Sequence, residues 1–244
     1  MELGSLPVKD GFRLRGEAVT RLETFVDAAF AFAVTLLVVS FDRVPGTFAE
    51  LVEAMRRVPA FLAGFAMLAL YWLAHNRFSR RYGLEDGPVI ALILALVAVV
   101  LVYIFPLRIL MAGMVSFFTG GWAPGELDID GMDDLRAVYW IYGGGFLAMN
   151  AILFALNHHA LRRAAFLGLD AGERESTRSE RNSYLLLGSS AALSIALALL
   201  LPMTATWQRA APGLAYALLS IVMPLYGWRA SVAHRRVLAV GAPA

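Results

Sequence analysis

Residues 21–42 read RLETFVDAAFAFAVTLLVVSFD, an apolar run that opens with an arginine, a glutamate and an aspartate. Its length is close to the ~20 residues that a helix needs to cross a bilayer core. A segment serving only as an anchor gains nothing from Asp27, because an ionisable side chain inside the membrane boundary is costly unless it is paired or faces water. The charge at the start of this run therefore asks for a partner and a purpose.

Composition extends the membrane reading to the whole chain. Of 244 residues, 59% are hydrophobic and only 16% charged, the balance of a membrane protein. The absence of cysteine excludes a disulfide framework, thiolate metal sites and a cysteine nucleophile. Apolar blocks at about 22–42, 58–76, 88–114, 136–158, 183–203 and 210–229 give six spans. A membrane barrel would show alternating apolar and polar residues rather than solid blocks. The expected fold is all-α, a single polytopic bundle of six transmembrane helices. The first run lacks a small-residue cleavage site and follows a polar arm, which reads as a retained helix and not a signal peptide.

Basic residues set the orientation. The N-terminal arm, the second and fourth loops and the C-terminal tail carry fifteen Lys and Arg, against five in the other loops. Retention of positive charge in the cytoplasm then places both termini inside. The chain divides into a cytoplasmic arm at 1–20, a transmembrane domain at 21–230 and a cytoplasmic tail at 231–244. The net charge of +2 comes from this arginine bias, so the partner it implies is the lipid bilayer. Nucleic acid is not indicated, since no aromatic-interleaved basic patch accompanies it. The charged segment RRAAFLGLDAGERESTRSERN at 162–182 reads as a short amphipathic cytoplasmic helix or an ordered linker.

At helical spacing, Phe25, Ala29, Phe32, Leu36 and Val39 share one face of the first span, and Ala28, Thr35 and Val39 form an overlapping stripe. Periodicity alone is satisfied by packing of this face against neighbouring helices. Arg21 and Asp27 point further, and Arg21, His75, Asn76, Tyr103 and Asn150 are the candidate partners for Asp27.

The pattern R-x-x-x-F-V-D at 21–27, with the apolar run that follows, resembles the first-helix signature of the transmembrane protein 175 family of potassium channels, R-x-x-x-F-S-D. YWLAHNRF at 71–78 resembles the end of that family's second helix, and the six-span layout matches almost the full length. The resemblance implies a homotetramer in which four copies of the first helix line a pore for potassium ions. Phe32, Leu36 and Val39 would form apolar constricting rings, with Thr35, Ala28 and Ala29 lining the path. Arg21, Phe25, Asp27, His75 and Asn76 would brace the helix from outside the pore, with Arg21 and Asp27 pairing to offset their desolvation. No metal and no cofactor is implied. The single-repeat length points to a prokaryotic plasma (inner) membrane. Two positions depart from the family pattern: Val26 stands where the motif has serine, and Phe32 where members have isoleucine. Four phenyl rings at a constriction would close it more firmly or act as a dewetting gate.

IYGGG at 141–145 contains letters of a potassium filter, yet no T-V-G-Y-G string or preceding pore helix accompanies it, so small-residue helix packing is the preferred reading. Ser189, Ser190 and Ser194 read the same way. Asn157, His158 and His159 sit at a span end and suit an interfacial role, with pH sensing second. Pro106 is expected to let Arg108 reach the external interface or the acidic loop at 126–134. Catalysis is not supported, as no phosphate-cradling loop, H-E-x-x-H or nucleophile elbow occurs. The competing classes are a proton-permeable channel, a proton-coupled secondary transporter, which calls for a midplane site in broken helices, and a non-transporting scaffold.

Overall fold

The computed structural model describes residues 6–39, 44–126 and 131–241, and at Val39, His234 and 236–241 it describes the backbone alone. The described chain is a helical bundle preceded by a small hairpin. Strands β1 (Val8–Lys9) and β2 (Phe12–Arg13) pair antiparallel. Seven helices follow: α1 (Arg21–Val39), α2 (Phe48–Tyr82), α3 (Gly87–Phe118), α4 (Met132–Arg162), α5 (Ala171–Leu200), α6 (Thr206–Ala217) and α7 (Leu219–Gly241).

Among the described residues five helical segments are long and apolar enough to cross a membrane: α2, α3, α4, α5 and the stretch Thr206–Ala233, in which α6 and α7 meet at Leu218. With α1 they make six. In hydrocarbon each backbone N–H and C=O must be satisfied within its own segment, which is why these blocks fold as helices. α4 packs along α5, α3 against α4, and α1 chiefly on α3 and α2. The core that joins them runs through Leu96, Val100, Ile104, Met149, Leu153 and Leu156, all buried.

Several boundaries differ from those read in the sequence. α3 runs on through Pro106 to Phe118, and Arg108 pairs with Glu126 at 2.8 Å, so the arginine reaches the acidic loop without a break in the helix. Residues 127–130 of that loop lie outside the described residues. The charged segment at 162–182 is not a separate element. Residues 163–170 turn the chain, and the remainder is the first three turns of α5, started by Asp170 and Glu173 in a capping box. Within the described part of the arm, residues 8–13 form the hairpin, with Phe12 buried beneath the guanidinium groups of Arg15 and Arg81 and edge-on to Tyr82.

The glycines of IYGGG make close helix contacts. A Cβ at Gly145 would run into the Tyr103 ring, whose hydroxyl donates to the Tyr142 carbonyl at 3.0 Å, and one at Gly143 would lie 2.7 Å from Ile195 Cγ1. Gly144, between them, has nothing within 4 Å. Ser190 and Ser194 of α5 are buried, as small packing residues are.

Candidate functional site

α1 begins at a capping box. The Thr20 hydroxyl accepts from the Glu23 amide at 3.2 Å, and the Glu23 carboxylate accepts from the Thr20 amide at 3.1 Å. The same carboxylate takes a 3.3 Å bond from Arg80 of α2. Beyond the cap, Val26, Phe30, Ala33 and Leu37 recur at steps of four, three and four and are buried, forming the stripe that seats α1 on α2 and α3.

The opposite side of α1 is not covered by the other described residues of its subunit. Phe25 and Phe32 are 52% and 56% exposed, and Ala28 and Thr35 are exposed beside them. Ala29 and Leu36 are half-buried, so the free face is centred nearer the Ala28–Thr35 stripe than the Ala29–Leu36 stripe. The Thr35 hydroxyl donates to the Ala31 carbonyl at 3.0 Å, leaving its oxygen lone pairs on the free side. Val39 closes the helix, and its side chain lies outside the described residues. An open cleft of about 480 Å³ between α1 and α2 borders this face, lined by Phe30, Ala31, Val34, Phe65, Leu68 and Trp72.

Asp27 points into that cleft's edge and accepts a 2.8 Å hydrogen bond from the Trp72 indole. Among the described residues no ion pair joins it to Arg21, which is exposed. The expected mutual pairing is thus replaced by a tie to α2. Residues six apart on a helix are offset by about 120° around the axis and ~9 Å along it, beyond the reach of a direct bridge. His75 is buried one turn beyond Trp72, with Asp27 as its charged neighbour and, among the described residues, no hydrogen-bond partner at Nε2. Asn76 is half-buried on the adjacent side. Of the other partners considered for Asp27, Tyr103 bonds to α4, and Asn150 bonds to Tyr71 at 3.0 Å.

The tryptophan was visible in the sequence as part of YWLAHNRF, but its role as donor to Asp27 was not. Glu23 followed from the T-x-x-E spacing at 20–23 and was also missed. At the far end of α4, His159 Nε2 lies 2.8 Å from Asp86 Oδ2, which Arg163 also contacts at 3.1 Å. His158 stacks on Phe154, and the Asn157 amide donates to the Leu153 carbonyl.

Fold and site together define a polytopic helical membrane protein with one helix largely bare along an apolar, threonine-bearing face. Residues 21–106 match the sequence profile described as "Endosomal/lysosomal potassium channel TMEM175". The chain is 32% identical to a protein of Marivirga tractuosa named "Potassium channel", over 93% of this chain and 94% of that one. It is also similar to the crystal structure of the potassium channel MtTMEM175, a variant solved with a nanobody–MBP fusion protein, with a TM-score of 0.80, 30% identity and coverage of 93% and 99% of the two chains. A lysosomal potassium-selective channel TMEM175 homolog from Chamaesiphon minutus shares the fold, with a TM-score of 0.53 at 21% identity over 86% of this chain and 96% of that one. The chain belongs to the TMEM175 potassium channel family.

Proposed function

We propose that this protein is a potassium-permeable cation channel in which four copies of the chain surround a pore lined by α1. The observation that carries the reading is the bare face of α1: in a bundle that buries Val26, Phe30, Ala33 and Leu37, the side bearing Ala28, Phe32 and Thr35 is exposed and is not covered by the other described helices. The relatives named as potassium channels supply the permeant ion.

In this arrangement Phe32, Leu36 and Val39 form successive apolar rings, and dewetting at such rings gates a pore without charge. Thr35 and the small residues Ala28 and Ala29 line the path between them. With its proton committed to the Ala31 carbonyl, the Thr35 oxygen presents acceptors, the polarity a partly dehydrated cation needs. Asp27 braces the helix through Trp72, beside His75 and Asn76, while Arg21 and Phe25 stand exposed at the entry. The cleft between α1 and α2 accepts the α1 of the neighbouring copy. The arginine-rich end, which gathers the N-terminal arm, the α2–α3 turn and the α4–α5 turn, faces the cytoplasm of a prokaryotic plasma membrane, where the C-terminal end of α7 also lies.

The test is potassium and sodium flux in proteoliposomes of the purified protein. Passive potassium flux exceeding sodium flux is the expected result. Flux of protons alone would identify the proton-permeable alternative, slow exchange coupled to protons the transporter, and silence the scaffold.

A further inference from the structure

The N-terminal hairpin and α1 are joined by the seven residues 14–20, which cross the ends of α2 and α5 before the first helix begins. At their upstream end sits Glu173, with a fully buried side chain. Its two oxygens accept from the Arg13 amide at 2.8 Å, from Arg13 Nη1 at 3.3 Å, from Arg15 Nη1 and Nη2 at 3.2 and 2.8 Å, and from the Asp170 amide at 3.1 Å. Every acceptor site of this carboxylate is used, by charged donors and by a helix N-terminus that favours negative charge. Arg15 is 5% exposed at its side chain and also donates to the Leu167 carbonyl at 2.8 Å. A buried carboxylate this well satisfied is rigid, and removal of its charge leaves Arg15 buried without a counter-ion.

The connecting residues then press directly on α2. The Gly16 amide donates to the Arg80 carbonyl at 3.0 Å, and a Cβ at Gly16 would collide with the Ser79 carbonyl oxygen. Gly83, the left-handed cap of α2, lies so close that a Cβ there would sit 2.9 Å from the Arg15 carbonyl oxygen. Arg80 returns the contact, donating to the carbonyls of Gly16 and Glu17 at 3.0 and 3.3 Å and to Glu23, in the first turn of α1, at 3.3 Å. An unbroken chain of polar contacts therefore runs from the start of α5 through the hairpin and the end of α2 to the first turn of α1.

We infer that Glu173 is a positioning residue for α1: the buried Glu173–Arg15 lock, transmitted through residues 14–20 and Arg80, holds the entry of the helix proposed to line the pore. The inference rests on that pore reading. Loosening the lock changes how often the pore opens, while the pore wall that sets conductance and selectivity is untouched.

The experiment uses the full-length protein in nanodiscs and planar bilayers, comparing parent, Glu173→Gln and Arg80→Gln. Glu173→Gln keeps the shape and removes the charge, and Arg80→Gln cuts the same linkage downstream if the first variant does not fold. Amide hydrogen exchange over residues 14–24 is expected to rise about tenfold or more, the scale of losing a charged hydrogen bond. Open probability should shift about threefold or more at constant unitary conductance and potassium-to-sodium ratio, a split that simple loss of stability does not produce. Exchange that rises only within residues 7–13, or open probability that stays at the parent value while the protein merely melts at lower temperature, would overturn the inference. A parent protein that passes no potassium would refute the channel reading, and the exchange measurement would still decide whether Glu173 holds the start of α1.

Discussion

Replacing each glycine of the 143–145 triplet by alanine separates helix packing from any filter-like role. At Gly145 the added methyl runs into the Cδ2–Cε2 side of the buried Tyr103 ring, which is anchored by its hydrogen bond to the Tyr142 carbonyl. Overpacking of this kind costs about 1–3 kcal/mol, and displacing the ring forfeits a hydrogen bond worth about 1 kcal/mol. The gain in helix propensity returns about 0.5–1 kcal/mol, leaving a net loss of roughly 1–3 kcal/mol. Gly144 has open space, so Gly144→Ala keeps only the propensity gain and stabilises by about 0.5–1 kcal/mol. Gly143→Ala meets Ile195 Cγ1 at 2.7 Å and Cδ1 at 3.0 Å, so that the isoleucine must shift but no ring or hydrogen bond is displaced as at Gly145, and it falls between the two. Thermal melting in detergent, followed by loss of the monodisperse peak, should rank the variants 144, parent, 143, 145 from most to least stable. A Gly145→Ala protein as stable as the parent, or a Gly144→Ala protein with altered potassium selectivity and normal stability, would refute the packing argument.

Phe32→Ala should raise unitary conductance by about twofold or more through loss of the bulkiest ring on the free face of α1, read in single-channel recordings. Trp72→Phe removes the donor to Asp27; because Asp27 is exposed, the loss should stay near 1 kcal/mol, and a double-mutant cycle with Asp27→Asn should show the two effects to be coupled rather than additive. Asp86, at the N-cap of α3, is partly withdrawn from water, which pushes its pKa up, but hydrogen bonds from His159, Arg163 and the Val89 amide outweigh this and hold it below the usual carboxylate value. A depressed folded pKa stabilises the protein above the unfolded value of about 4 and is lost as pH falls through the lower folded value. Melting temperature measured against pH should therefore drop on the acid side in the parent, and Asp86→Asn should flatten that limb.

The spans were legible because each apolar block carries its own signal: Val89 to Phe105 has no other stable form in lipid than a helix. The packed and bare sides of α1 were half legible. Periodicity grouped Phe25, Ala29, Phe32, Leu36 and Val39 on one face with Ala28 and Thr35 on an overlapping stripe, but the rotation that half-buries Ala29 and Leu36 depends on how α2 and α3 approach. The ion pairs were least legible. Glu173 and Arg15 are separated by 158 residues, and composition carries no trace of which arginine a buried carboxylate will meet. The capping patterns at 20–23 and 170–173 are present in the sequence as local spacing that went unread, and even when read they carry nothing about the distant partners of Glu23 and Glu173.

The absence of cysteine permits the most direct test of the central claim, that the bare face of α1 lines the permeation path. Single cysteines at Ala28, Phe32 and Thr35, and at the buried positions Val26 and Ala33, are exposed to a water-soluble thiol reagent while potassium current is recorded. Modification at 28, 32 and 35 is expected to reduce the current, and 26 and 33 are expected not to react. Current untouched after reagent treatment at all three free-face positions would place that face against lipid and contradict the claim.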